Sequence, residues 1–350
     1  MTRRTFLGTC GIAAVAPALW AAPARRLKIG QIGTTHAHAA GKALAIRAFP
    51  ETWDFVGVVE PDPSRRAQAQ ANKAFQGLPF VNEATLLDDP SVTAIAVETD
   101  MDVSGAAALR VLRAGKHVHL DKPGALHHAE YRALRREAQE RGLLVQMGYM
   151  LRYNPAFVLM TRAVREGWLG EVLEIDATMG KLGSASDRAL LATLPGGGMF
   201  ELGCHLVDAV VTLLGEPLSV AATSTPSRDD GVKDNQLATL SYAKAAATLR
   251  VNFADPLGMS RRRFGIVGSA GALEIFPLES GNVKLTLTRE AGGYGPGTHA
   301  LALPRPGGRY DEEFVDLAKA IRGEKTFAWS AQHDIAVHAT TLRASGVPLA

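Results

Sequence analysis

Two residues far apart in the chain carry the clearest chemical potential, a lysine and a histidine. Lys122 follows His117-Val118-His119-Leu120-Asp121 and precedes Pro123-Gly124. An apolar, β-branched run that ends in a charged pair and a Pro-Gly turn reads as a parallel strand reaching the C-terminal edge of a sheet. Ligands of open α/β sheets bind at that edge, which would put Lys122 in a crevice. On these residues alone, a solvated lysine or one paired with Asp121 is an equal alternative. His205 lies four residues after Glu201 and three before Asp208, in a stretch that opens with Gly196-Gly197-Gly198. Acid and histidine at i, i+4 face the same way on a helix. An imidazole titrating near neutrality can take and return the proton of a secondary alcohol. A buried histidine satisfied by backbone is the structural alternative.

The elements that would position Lys122 begin at Leu27. Leu27 to Gly33 reads as a strand running into a glycine turn, followed by a helix from about Ala37 to Ala48. A strand from Asp54 to Val59, the acid Glu60 and a helix from Ser64 come next. This is the order of a dinucleotide-binding unit, with Glu60 placed to accept bonds from ribose hydroxyls and to repel a 2′-phosphate. NAD is therefore expected over NADP, although Arg65 and Arg66 keep NADP in view. The turn itself is irregular: Thr35 and His38 stand where the fingerprint has glycine and a small residue. A threonine Cβ obstructs the approach of backbone to pyrophosphate, while its hydroxyl could bond a phosphate oxygen. His36 and His38, two apart with no cysteine or carboxylate near them in sequence, are expected to be phosphate or loop contacts rather than metal ligands. Further βα units follow, with strands at Val92 to Glu98, His117 to Leu120 and Leu144 to Met147 and helices at Gly105 to Ala114 and Ala129 to Arg141. Such a series implies a parallel sheet covered on both faces.

The 350 residues suit two domains. At 47% hydrophobic and 21% charged, the composition is globular. A net charge of +3, with Arg261-Arg262-Arg263 the one compact basic run, gives no nucleic-acid footprint. Thr2-Arg3-Arg4-Thr5-Phe6-Leu7, a weakly apolar stretch to Trp20 and Ala22-Pro23-Ala24 have the form of a twin-arginine export leader with a cleavage site. The apolar run is too short to span a bilayer. Residues 1–24 are thus expected to be removed and the protein to be periplasmic, folded before export and able to carry a bound cofactor. Cys204 would remain as the single cysteine.

Longer segments carry a family resemblance. Ala114-Gly115-Lys116-His117-Val118-His119-Leu120-Asp121-Lys122-Pro123 resembles the "aGkHVlcEKP" segment of the glucose–fructose oxidoreductase / inositol dehydrogenase / MocA family. Gly148 to Pro155 resembles the crossover that follows it, and Gly196 to Asp208 the family's "GGG…D.G.H..D" segment. The likeness implies an α/β fold in two parts. The first, residues 27–148, is a Rossmann doubly wound parallel sheet. The second, 149–328, has a large, mostly antiparallel sheet whose outer face would join subunits of a homo-oligomer. A closing helix in 329–350 would pack back on the Rossmann part. Strands are read at Val172 to Met179, Ser219 to Ser224, Gln236 to Ala243, Ala247 to Phe253, Arg263 to Val267 and Val283 to Thr288. Ala291 to Gly308 reads as a long loop, and Asp311 to Ile321 as a helix.

By the same resemblance, Lys122 and His205 are the catalytic pair. Lys122 would bond the substrate oxygen with its pKa lowered by a cationic nicotinamide. Glu201 would orient the His205 ring or bind a sugar hydroxyl, and Arg152, Tyr153 and Asp208 would line the sugar pocket. Cofactor contacts are expected from Gly30, Gly33, Thr34, Thr35 and His36 in the first turn, then from Glu60, Thr99, Asp121 and Lys122. Three positions depart from the family: Asp121 replaces glutamate, Glu201 replaces aspartate, and Thr99-Asp100-Met101-Asp102-Val103-Ser104 lacks the "TPn..H" proline and histidine. The expected activity is NAD-dependent oxidation of a CH–OH group on a sugar, cyclitol or glycoside, with a retained and recycled cofactor. The alternatives are a redox-neutral glycosidase or lyase, and a non-catalytic carbohydrate-binding protein with a degenerate nucleotide loop.

Overall fold

The computed structural model describes residues 25–304 and 307–349. The leader-like residues 1–24 lie outside them. Among the described residues no helix is long and apolar enough to cross a membrane.

The first half alternates strand and helix: β1 (Leu27–Ile32), α1 (Ala39–Arg47), β2 (Trp53–Val59), α2 (Pro63–Ala71), α3 (Glu83–Leu87), β3 (Val92–Val97), α4 (Met101–Arg113), β4 (His117–Leu120), α5 (His128–Glu140) and β5 (Val145–Met147). The strands form one parallel sheet in the order β2-β1-β3-β4-β5. Burial on both faces explains why β3, Val-Thr-Ala-Ile-Ala-Val, has no alternation. The order reverses between β1 and β3, the place where α/β sheets open a ligand crevice. Gly33 leaves β1 there with φ +90°, and a Cβ on it would meet the Glu98 carbonyl oxygen at 2.7 Å. The helix read from Gly105 in fact begins at Met101, so the departed "TPn..H" segment supplies its first turn rather than a loop.

The second half begins with a 3₁₀ turn (Met150–Tyr153), α6 (Pro155–Arg165), β6 (Val172–Gly180), α7 (Ala185–Thr193), a π-helical turn (Met199–Gly203) and α8 (Cys204–Leu214). Strands β7 (Ser219–Ser224), β8 (Asn235–Ser241), β9 (Ala246–Asn252), β10 (Arg263–Gly268), β11 (Gly271–Ile275), β12 (Asn282–Leu287) and β13 (Gly297–Ala302) follow. The eight-stranded sheet runs β13-β12-β11-β10-β6-β9-β8-β7, antiparallel except for the central β6–β9 pair. Here the strands do alternate. Ala247, Leu249 and Val251 of β9 are buried, while Thr248 between them is half-buried and Ala246 and Arg250 are exposed, so one face carries the core. The 291–308 stretch is not all loop: β13 pairs with β12 and sets Leu301 opposite Val283. Helix α9 (Asp311–Ile321) packs on α1, and α10 (Ala331–Ala344) packs on both α5 and α8, tying the two halves together.

Candidate active site

Two cavities open along the C-terminal edge of the parallel sheet. One, of about 280 Å³, is lined by Gly33, Thr35, Glu60, Arg65, Arg66, Thr99 and Asp100 among others. The second, of about 370 Å³, is lined by Thr35, His36, His38, Asp100, Lys122, Glu201 and His205, facing Lys181, Asp187, Arg262, Glu279 and Arg309. Thr35 and Asp100 belong to both, so the cavities adjoin.

The first cavity is built around Glu60. Glu60 is 2% exposed, and its carboxylate accepts from the Thr34 hydroxyl at 2.6 Å and the Asp62 amide at 3.2 Å. Arg65 is tied to Asp100 at 3.2 Å and Arg66 donates to the Glu60 carbonyl at 2.9 Å. Gly33, Thr35, Glu60 and Thr99 all line this cavity. Gly30 does not. It sits inside β1, where a Cβ would strike Leu86 at 2.5 Å, so its smallness serves packing. Thr34 likewise reaches no cavity; it holds Glu60.

The second cavity brings Lys122, Glu201 and His205 together. Lys122 is buried, and its ammonium donates to both the carbonyl and the Oε1 carboxylate oxygen of Glu201 at 2.7 Å. Burial alone would push the Lys122 amine down, but Glu201, with Cys204 and Asp121, outweighs it and holds the pKa above the usual lysine range. That is opposite to the lowering expected from a cationic nicotinamide. Burial likewise works to raise Glu201, and Lys122 keeps it below the ordinary carboxylate value. His205 is held well below the usual imidazole value, first by burial and then by the Lys122 charge, so at neutral pH it is an uncharged proton acceptor. Its ring meets Tyr149 edge-on at 5.9 Å, and Nδ1 has no hydrogen-bond partner.

The expected Glu201–His205 partnership is not made. Glu201 belongs to the π-helical turn and His205 to α8, so the i, i+4 rule of a continuous α-helix fails across them, and the carboxylate goes to Lys122. Gly197, at φ +57° with the Lys233 carbonyl 2.2 Å from where its Cβ would be, lets the chain enter that turn.

Three predicted sugar contacts lie elsewhere. Arg152 is buried and ion-paired with Asp208 and Asp334, both at 2.6 Å, and its guanidinium lies over Tyr149 and Trp329. Tyr153 donates to Asp316 at 3.0 Å and accepts from Gln146 at 2.9 Å. None of Arg152, Tyr153 and Asp208 lines the cavity that holds Lys122. Its far wall is built from residues not expected from sequence: Lys181 with Asp187 at 2.6 Å, and Arg262 and Arg309 sharing Glu279 at 2.9 and 3.0 Å. The available signal was the 261–263 arginine run, whose middle member alone turns inward and donates to the Gly180 carbonyl.

Asp121 lines neither cavity. It lies behind them, with His38 Nδ1 at 3.0 Å, His36 Nδ1 at 3.4 Å and Lys42 at 3.8 Å. The two histidines therefore do have a carboxylate beside them, brought from 83 residues away. Lys42 pairs in turn with Glu313, and Glu98 and His119 complete the buried group.

Residues 27–149 match the model for the oxidoreductase family with an NAD-binding Rossmann fold. Residues 157–274 match the GFO/IDH/MocA C-terminal domain. The chain belongs to the GFO/IDH/MocA oxidoreductase family. Within it, the uncharacterized oxidoreductase C115.03 of Schizosaccharomyces pombe is 26% identical over 272 residues, 74% of this chain and 73% of that one. The trans-1,2-dihydrobenzene-1,2-diol dehydrogenase of Bos taurus is 28% identical over 199 residues, 56% of this chain and 59% of that one. Levoglucosan dehydrogenase, solved with NADH and levoglucosan, has the same fold as this GFO/IDH/MocA member. The TM-score is 0.80, with 18% identity and coverage of 92% and 98% of the two chains.

Proposed function

We propose that the protein is an NAD-dependent dehydrogenase acting on a secondary hydroxyl of a sugar, cyclitol or glycoside. The observation that carries this is the meeting of Lys122, Glu201 and an uncharged His205 in one cavity that adjoins a nucleotide-shaped one. The residues fit the cofactor: Gly33 is a cradle that a Cβ would fill, and Glu60 stands ready-buried at the strand end. The Glu60 carboxylate at this strand end would repel a 2′-phosphate and favours NAD over NADP. A bound nicotinamide supplies the hydride acceptor. His205 takes the hydroxyl proton, which its lowered pKa permits without prior deprotonation. Lys122 turns one of its bonds from Glu201 to the substrate oxygen and stabilises the charge that develops there. The freed Glu201 carboxylate accepts from a neighbouring hydroxyl. A dehydrogenase named for a ring-borne diol among the sequence relatives supports the CH–OH donor class.

The leader-like residues 1–24 extend the proposal to a folded, exported protein that keeps its NAD, with a net reaction that is redox-neutral or coupled to a second substrate. The test is ultraviolet absorbance of the denatured, purified protein for released dinucleotide, followed by multiple-turnover assay on sugars and aryl glycosides with no added NAD. Release of NAD and turnover without supply support the reading. Turnover that tracks external NAD would remove cofactor retention. Calorimetry showing that neither NAD nor NADP binds would favour the non-catalytic carbohydrate-binding alternative.

A further inference from the structure

The buried group behind the second cavity is crowded with acids, and burial raises Glu98 well above the ordinary carboxylate value and Glu313 to about 7. Glu98, Asp121 and Glu313 are three carboxylates, all at most 3% exposed, and Lys42 is the one ammonium among them. Lys42 is committed to Glu313. Isolated buried carboxylates are costly unless paired or bound to a cation. Several polar atoms here also lack hydrogen-bond partners: both carboxylate oxygens of Glu98, Nε2 of His36 and Nε2 of His119. Buried polar atoms are satisfied in the great majority of cases, and a bound ion is one reason for an exception.

In front of this group, three donor atoms converge. His36, His38 and Asp121 each offer one atom, all within 4.8 Å of one another. The two histidine Nδ1 atoms stand 3.4 and 3.0 Å from the same oxygen, Oδ2 of Asp121. Donors around a four-coordinate cation, at bonds of about 2.0–2.2 Å, are separated by roughly 3–3.6 Å. The spacing is set by the fold. His36 and His38 are fixed in the turn before α1, where the His36 amide donates to the Glu98 carbonyl, and Asp121 is fixed at the end of β4. Both histidines line the cavity that holds Lys122 and His205, so the remaining side of the cluster faces the cavity.

We propose that His36, His38 and Asp121 form a site for a divalent transition metal ion, with its open position toward the substrate cavity. Two imidazoles and a carboxylate are a donor set suited to such ions, and an open side is what separates a catalytic-type site from a closed structural one. Glu98 stands in the next shell, 3.6 Å from His36 Nδ1. An oxygen of water, substrate or phosphate completes the coordination. The site accounts for His38 at a position where a dinucleotide turn has a small residue, and it is independent of whether NAD binds.

The experiment uses the full chain freed of metal with a chelator and titrated with Zn²⁺ by calorimetry and with Co²⁺ by visible absorption. The expected result is one ion per chain and a cobalt d–d band. His36→Ala and His38→Ala should each weaken Zn²⁺ binding at least tenfold, and Asp121→Asn should weaken it as well. His38→Cys keeps a ligand, so it should hold cobalt and add a thiolate-to-metal charge-transfer band in the near ultraviolet. That arm does not depend on the alanine variants folding. No cobalt band in the parent chain, a band that persists in folded His36→Ala and His38→Ala chains, or a His38→Cys chain without the charge-transfer band would each overturn the site.

Discussion

Two buried charge groups, some way apart in the fold, are built on opposite rules. Around Arg152 the charges close: Arg152 meets Asp208 and Asp334, and Arg135 meets Asp334 at 3.1 Å, two cations for two anions. Around Asp121 three carboxyl groups share one lysine, and burial pushes Glu98 well above the ordinary carboxylate value and Glu313 up to about 7. The balanced group joins the 3₁₀ turn to α8 and α10 and lies off the Lys122 cavity. The acid-crowded one sits at the C-terminal edge of the parallel sheet, directly behind it. The paired charges hold elements together, whereas the crowded acids lie beside the cavity where a ligand can reach them.

The sharpest way to break this contrast is Arg152→Leu. Removing one partner of a buried ion group leaves carboxylates uncompensated, at a cost of about 3–5 kcal/mol. Urea denaturation should show that loss while KM of the folded fraction stays near the parent value. Unchanged stability with a raised KM would return Arg152 to the sugar pocket. On the other side of the contrast, Lys122→Ala and His205→Ala should each lower turnover of the folded fraction by roughly a hundredfold or more. A near-parental rate in either would remove that residue from the chemistry. Glu60→Arg is expected to move the NAD-to-NADP binding ratio by about tenfold, equivalent to about 1.4 kcal/mol, read by calorimetry with each cofactor. An unmoved ratio would mean Glu60 does not meet the ribose.

The smallest effect is in pH. Burial works to raise Asp208, and Arg152 outweighs it, so its folded pKa lies below the ordinary carboxylate value. A depressed carboxylate stabilises the fold above its unfolded pKa of about 3.9, and that contribution disappears as pH falls through the folded value. The stability gap between the parent chain and Arg152→Leu should therefore narrow on acidification from neutral to below about pH 4. A gap that stays constant would show that Asp208 does not carry it.

The parallel half was legible because its signals are local. Alternating strands and helices, Gly33 at a forced turn and Glu60 at a strand end can each be read within a few dozen residues. The strand at 297–302 was hidden because an edge strand needs partners on one side only and tolerates glycine, so Gly297-Thr298-His299-Ala300 passes for loop. The site was legible in its centre and not at its rim. Lys122 and His205 follow motifs, while Lys181, Arg262, Glu279 and Arg309 come from separate segments that only the fold gathers. Arg152, Tyr153 and Asp208 were misplaced because a polar residue beside a motif can as well serve packing. The pairing of His36 and His38 with Asp121 needs the register of β1 against β3 and β4, which no spacing in the chain reveals.

The five-residue π turn at Met199–Gly203 gives this site an unusual response to changes in chain length. Such turns carry one residue more than the α-helix around them. Deleting one residue there would not shorten a loop. It would let the helix close into ordinary α geometry and swing everything upstream by about 100° around the axis. His205, seated in α8, would stay in place, and Glu201 would turn away from Lys122. A deletion of a single codon would thus separate the lysine from its carboxylate while both side chains remained encoded, a change that no point substitution in this region can make.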